Sequence, residues 1–132
     1  MSLIVDASVA VKWFLDEEGC EEARALLDDE AVEAPDLILL ETYSAVWKRW
    51  RRGEARPAQL RELVPALSRA LDAVHPLAPL AGEAGRLALE LRHPVYDCAY
   101  LALAARERLP LATADDKLFR LAGRLGIDAR RL

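Results

Sequence analysis

The sequence predicts an α/β domain with a mainly parallel central sheet of four to five short strands. Three observations predict it. Apolar runs too short for helices recur at Leu3–Val5, Ala31–Ala34 and Leu109–Thr113, as strands covered on both faces do. Segments of helical spacing separate them, so successive strands are joined by crossovers rather than hairpins. The chain has 132 residues, 53% of them hydrophobic, with no linker, repeat or low-complexity tract. That is enough for one core, and residues 1–132 are read as a single domain.

Leu3-Ile4-Val5 opens the chain as a buried strand closed by Asp6. Ala7 to Leu15 follows as a helix, with Asp6 or Ser8 near its start as a cap. Asp16-Glu17-Glu18-Gly19 breaks it, and a second helix is expected from about Glu21 to Asp29. Pro35 is expected to stop the Ala31–Ala34 strand. Asp36 stands at an N-cap position, and Leu37 to Arg52 reads as one long helix ended by Gly53. At about 100° per residue, Glu41, Ala45, Lys48 and Arg52 share one face of it, and Leu39, Tyr43, Val46 and Trp50 another. Pro57 suits the first turn of the next helix, which Pro65 is expected to bend. Ala73–Leu77 is a weak strand interrupted by Pro76, and Leu80–Arg92 and Val95–Arg108 are helices parted by His93-Pro94. After the Leu109–Thr113 strand come Asp115, a last helix from about Asp116 to Leu125, and a short Ile127–Ala129 strand.

Composition excludes several classes. Six Gly and seven Pro with a high apolar fraction fit neither collagen nor a disordered chain. The longest uncharged apolar run, Cys98 to Ala105, is far short of the roughly 20 residues that span a membrane. Asp6 and Lys12 interrupt the first apolar stretch, which makes it a poor secretory segment. Cys20 and Cys98 have neither metal spacing nor a disulfide framework, which suits a reducing cytoplasm. The net charge of −4 ordinarily argues against a nucleic-acid partner, but it hides an asymmetry. Residues 1–36 hold eleven acids against two bases, a balance of −9, and residues 37–132 hold sixteen bases against eleven acids, a balance of +5.

The acids carry the chemistry. Two strand candidates end in Asp, at Asp6 and Asp115, and in open parallel sheets ligands bind beyond the carboxyl ends of the strands. Asp97 opens a strongly apolar helix, and Glu41 interrupts an apolar run near the start of the long one. Four clustered carboxylates repel one another, and either protonation or a divalent cation relieves them. Oxygen donors without Cys or His favour Mg²⁺ or Mn²⁺ over zinc, and such ions support phosphodiester hydrolysis. The plain alternative is that each Asp caps a helix; for any single acid the cap is preferred on composition and spacing alone, with the metal site the minority reading and Glu41 the hardest to explain as a cap.

At these residues the chain resembles the PIN-domain ribonucleases, specifically the small VapC-like toxins of prokaryotic toxin–antitoxin pairs. The motifs that carry the resemblance are Val5-Asp6-Ala7-Ser8-Val9, Ala34-Pro35-Asp36-Leu37 leading to Leu40-Glu41, Val95-Tyr96-Asp97-Cys98-Ala99-Tyr100-Leu101-Ala102-Leu103-Ala104, and Leu111-Ala112-Thr113-Ala114-Asp115. Their order and spacing cover essentially the whole chain. The resemblance implies a three-layer α/β/α PIN-like fold and a Mg²⁺-dependent endoribonuclease whose acidic quartet is Asp6, Glu41, Asp97 and Asp115. It implies Ser8 and Thr113 as hydroxyls that orient the carboxylates, RNA as substrate, a small cognate antitoxin in the substrate groove, and a homodimer. Asp116 either assists the metal or caps the final helix, and the cap is preferred.

Lys48-Arg49-Trp50-Arg51-Arg52 is the densest basic stretch. Its plain meaning is a solvated helix end complementing the macrodipole; its functional meaning is that Lys48 and Arg52, on the Glu41 face, contact RNA phosphates or antitoxin. Trp13, Trp47 and Trp50 are read as core or interface residues, with Trp13 expected to line the antitoxin groove. His75 and His93, each before Pro, are read as loop histidines without a ligand set. Three other functions fit the sequence less well. A non-catalytic PIN-like binding module has no reason to keep clustered acids, and an aspartyl-phosphate phosphatase needs a second Asp where Ser8 stands. The third, an RNA-processing PIN nuclease outside a toxin pair, is disfavoured by the short chain.

Overall fold

The alternation of apolar runs and helical segments resolves into five strands and seven helices in the computed structural model, which describes residues 1–132. In chain order these are β1 (Ser2–Val5), α1 (Ala7–Phe14), α2 (Cys20–Asp29), β2 (Ala31–Pro35), α3 (Leu37–Arg51) and α4 (Pro57–Ala70). Then come β3 (Ala73–His75), a 3-10 turn at Ala78–Leu80, α5 (Ala81–Leu91), α6 (Val95–Glu107), β4 (Leu111–Thr113), α7 (Asp116–Arg124) and β5 (Ala129–Arg131). The sheet order is β3-β2-β1-β4-β5 and every pairing is parallel. The architecture is the expected three-layer α/β/α. One layer contains α1 packed on α2, α3 and α4; in the other, α5 packs on α6, which crosses β1, β2 and β4.

Sheet order explains where a site can form. The chain winds outward from β1 through β2 to β3, then returns to the other side of β1 for β4 and β5. The crevice beyond the ends of β1 and β4 is therefore the switch point at which open α/β sheets bind ligands. Helix α6 closes its floor. All seven residues from Cys98 to Ala104 are buried, as expected of a helix that is apolar on every side. Truncating one of them, such as the fully buried Leu103, removes packing from the core.

Four local expectations change. Pro35 belongs to β2 as its last residue, because the ladder ends there and the Asp36 N–H takes the next bond, to the His75 carbonyl at 2.8 Å. Asp36 precedes α3, but its backbone is already helical and its side chain caps nothing. Leu109 and Pro110 precede β4 rather than opening it, since the Leu109 N–H closes the end of α6 on the Ala104 carbonyl. The last strand lies two residues later than its apolar residues suggest. Gly126, at φ 74°, lets the Ile127 N–H return to the Ala122 carbonyl, so Ile127 caps α7 and Ala129–Arg131 pairs instead. Pro65 sits inside α4 without ending it.

Candidate active site

Asp6 is the first residue past β1, and register decides what it meets. Val5 pairs with Ala112 on β4, so the next residues along, Asp6 and Thr113, stand side by side. Thr113 Oγ1 donates to Asp6 Oδ2 at 2.6 Å, and Ser8 Oγ donates to Asp6 Oδ1 at 2.6 Å. Neither hydroxyl is free to turn. Ser8 Oγ accepts from the Ala114 N–H at 2.9 Å and Thr113 Oγ1 from the Asp115 N–H at 3.0 Å, so each hydroxyl proton points at the carboxylate. Asp6 also accepts from the Val9 N–H at 3.3 Å and caps α1. The cap reading is thus correct for Asp6 without accounting for its burial, 5% exposed. Desolvation pushes its pKa up to about 6 against these three donors, and the charge of Asp97 adds to the rise.

The opposite wall comes from α3 and α6. Glu41 turns toward α6 and accepts from the Tyr100 hydroxyl at 2.7 Å. Tyr100 is fully buried, and the charges of Glu41, Asp6 and Asp97 all act on its phenol, which they and burial hold far above its ordinary pKa. Tyr100 therefore stays a neutral donor at the centre of three acids. The Glu41 carboxyl is also raised, first by burial and then by Asp97. Asp97 is the third residue of α6, whose N-cap is Pro94, so the cap explanation fails for it. Its Oδ2 instead meets His93 Nε2 at 2.7 Å. His93 is buried, and its Nδ1 has no partner.

Asp115 stands apart. It is exposed, and its Oδ1 caps α7 by accepting from the Lys117 and Leu118 N–H groups at 2.8 and 3.0 Å. Its link to Asp6 runs through the Thr113 hydroxyl. Asp116, expected as the cap, is one residue too late for that role; its carboxylate pairs with Arg131 Nε at 2.5 Å, and that bond lowers its pKa. The structure thus gathers Asp6, Glu41 and Asp97 around Tyr100 and leaves Asp115 at the margin. Each of Glu41, Asp97 and Asp115 has one oxygen held by a donor and the other without one. Oriented carboxylates with spare oxygens, beside an Asp6 and a Glu41 that burial makes costly to ionise, fit a hard divalent cation.

A groove of about 690 Å³ opens beside Glu41. Ala45, Lys48 and Arg52 line it with Glu41, as the helical spacing predicts, and Tyr96 and Leu40 supply exposed apolar surface. The basic stretch divides here. Arg49 is taken by Glu17 at 3.0 Å and Glu54 at 2.6 Å, and Arg51 stacks on the Trp47 ring at 5.4 Å. Lys48 and Arg52 remain without an anion. Trp13 does not line the groove: it is buried, and its indole N–H donates to the Ala23 carbonyl at 2.8 Å, which locks α1 against α2. Its large apolar ring is worth more inside the core than beside a solvated groove.

The family model for the PIN domain matches residues 3–124. The chain belongs to the PIN-domain family. Among curated proteins, this PIN domain is 35% identical over 121 residues to ribonuclease VapC3 of Pyrobaculum aerophilum, covering 89% of the chain and 92% of that protein. Among solved structures, it is similar to the toxin–antitoxin complex from Klebsiella pneumoniae, with a TM-score of 0.72 at 20% identity, covering 98% of this chain and 99% of that one. It is also similar to VapC20 of Mycobacterium tuberculosis, described as a sarcin-ricin loop cleaving toxin, with a TM-score of 0.71 at 18% identity, covering 92% and 95%. At these identities the two structures speak to the fold.

Two residues of the candidate site go beyond the sequence reading. His93 lies in the loop between α5 and α6, as read, but it is also the partner of Asp97, and its i, i+4 spacing to that acid is the available signal. Tyr100 sits one helical turn beyond Asp97, on the same face, which marks it once Asp97 is singled out. His75, by contrast, is not a loop residue: it ends β3 and pairs with Glu33 at 2.8 Å. No helix is long and apolar enough to cross a membrane, and both cysteines are free.

Proposed function

We propose that this PIN domain is a Mg²⁺-dependent endoribonuclease acting in the cytoplasm as the toxin of a toxin–antitoxin pair, with residues 1–132 working as one domain. The observation that carries the reading is the pinned, buried Asp6 facing Glu41 and Asp97 across Tyr100, beside a groove with two unpaired cations. The relation to ribonuclease VapC3 at 35% identity supports RNA as the substrate. Asp6 and Asp97 hold Mg²⁺ (Mn²⁺ would also fit), and Glu41 and Asp115 complete the site. When bound, the ion supplies charge neutralisation at the phosphoryl oxygens and a more acidic water.

The remaining work falls to the chain. Ser8 and Thr113 keep both Asp6 oxygens directed, His93 holds one oxygen of Asp97, and Tyr100 holds one of Glu41. Lys48 and Arg52 bind phosphates flanking the scissile bond; Lys48 is about 10 Å along the helix axis from Glu41, within reach of the next nucleotides. The antitoxin competes for the same groove, and a second copy of the chain completes the assembly. Induced expression is expected to arrest growth and leave cut RNA, with relief by a small protein encoded beside it. Undisturbed growth with intact RNA contradicts the toxin reading.

The groove makes its own prediction. In a cleavage-silent Asp97→Asn background, Lys48→Glu with Arg52→Glu is expected to weaken RNA binding at low salt. The slope of log affinity against log salt should shrink by about 1.4, the share of two phosphate contacts on a single strand. Unchanged affinity and slope would return both residues to a solvated helix end.

A further inference from the structure

A second group of ligating side chains lies away from the four acids. Glu33 in the middle of β2, His75 at the end of β3 and Glu107 at the end of α6 bring one ring nitrogen and two carboxylate oxygens within 4.8 Å of one another. Register explains the first two. Glu33 pairs with Ala73 and Pro35 with His75, so Glu33 and His75 are diagonal neighbours on one face of the sheet. Glu107 arrives from the helix layer covering that face. It is ten residues from Asp97 on the same helix, about 15 Å away along the axis, so the two groups of acids are separate.

We propose that Glu33, His75 and Glu107 form a second cation site, for Zn²⁺, that clips the β3 edge of the sheet to the end of α6. The donor set differs in kind from the four carboxylates, since an imidazole nitrogen with two oxygens suits zinc and is poor for Mg²⁺. Shelter and access are both present, with side chains 17%, 19% and 33% exposed for Glu33, His75 and Glu107. The existing spacing, from 2.8 Å to at most 4.8 Å, brackets what zinc requires. Ligand atoms at about 2.1 Å from a tetrahedral ion stand roughly 3.4 Å apart, and the His75–Glu33 contact is 2.8 Å.

One cation already touches the group. Arg106 Nε meets Glu107 at 3.0 Å, and its Nη2 faces His75 Nδ1 at 3.4 Å. A guanidinium only donates, so with Arg106 in place Nδ1 accepts and the ring proton is on Nε2, toward Glu33. Once Arg106 leaves, the proton moves to Nδ1 and the Nε2 lone pair is available to zinc. Two carboxylates with one arginine leave the cluster one charge negative. Arg106 is long and 41% exposed, so it can swing away into solvent when zinc binds. Zinc there would also brace the start of α3, because the His75 carbonyl accepts the Asp36 N–H.

The test is calorimetric titration of Zn²⁺ into the full chain with Mg²⁺ in excess, repeated with Co²⁺ to read its visible absorption band. One equivalent is expected. His75→Ala and Glu107→Gln should each weaken binding by about 100-fold or more, beyond the loss of a mere orienting partner. Glu107→Gln, at an exposed helix end, keeps the fold, so its result stands even if His75→Ala unfolds. Asp97→Asn should bind zinc as wild type does, and Arg106→Gln should bind it more tightly. Absence of zinc uptake in both wild type and Arg106→Gln would show that the cluster is an ion-pair network only. Uptake abolished by Asp97→Asn but spared by Glu107→Gln would place the ion at the four acids and overturn the proposal.

Discussion

Asp97→Asn is expected to cut RNA at least about 100-fold more slowly than the wild-type chain while folding normally. Loss of a group that merely orients a metal ligand costs about 10–100-fold, and Asp97 is argued to be a ligand itself. The substitution keeps the shape and the His93 contact, since the amide oxygen can take the place of Oδ2 at 2.7 Å. What changes is charge. Asp97 is also the one acid whose charge reaches both other carboxyls, raising Asp6 and Glu41. Removing it should let both ionise more readily, so the surviving activity shifts its pH dependence toward lower pH. His93→Ala provides the comparison: it frees Asp97 without removing it and should stay within the 10–100-fold range.

Asp6→Asn should leave the protein inactive and, above pH 6 without Mg²⁺, more stable. The folded pKa of Asp6 is about 6 against an ordinary value of 3.8, so the folded state holds the proton more tightly than the unfolded chain. Its contribution to stability is therefore fully present below about pH 4 and is lost as pH rises through 6. Two units at about 1.4 kcal/mol each amount to about 3 kcal/mol at neutral pH. Rearranging the Ser8 and Thr113 hydroxyls around an amide returns about 1 kcal/mol of that. Ion pairs such as Asp116–Arg131 and Glu83–Arg86 have the opposite pH dependence, so the quantity to measure is the difference between the two proteins. The gap in Tm should open between pH 4 and 6 and then level off. Mg²⁺ should close it by binding the ionised wild-type site. A gap that is flat from pH 4 to 7 would contradict the account of Asp6.

The sequence carried the fold and half of the site for one reason: both depend on local pattern. Strand–acid junctions place Asp6 at a carboxyl edge, and Glu41 within Leu37–Leu40 and Tyr43 breaks an apolar run in a way a capping residue does not. The helical face holding Glu41, Ala45, Lys48 and Arg52 was legible from spacing, and all four line the groove. The rest depends on long-range pairing. Tyr100 meets Glu41 across 59 residues, and Thr113 meets Asp6 across 107. Glu17, in the acidic run that breaks the first helix, selects Arg49 out of the basic stretch and leaves Lys48 and Arg52 free. Trp13 is a core residue, as read, but the groove role fails because an amphipathic helix shows which residues are apolar and not which neighbour covers them. Asp115 and Asp116 differ by one residue, a finer distinction than helix boundaries allow.

The most direct test of the central claim is cleavage of single-stranded RNA by the purified chain with Mg²⁺ and with EDTA, alongside Asp97→Asn. The account predicts cutting by the wild type in Mg²⁺, none in EDTA, and a loss of about 100-fold or more in the variant. Equal cutting by wild type and variant, or cutting that survives EDTA, would contradict it.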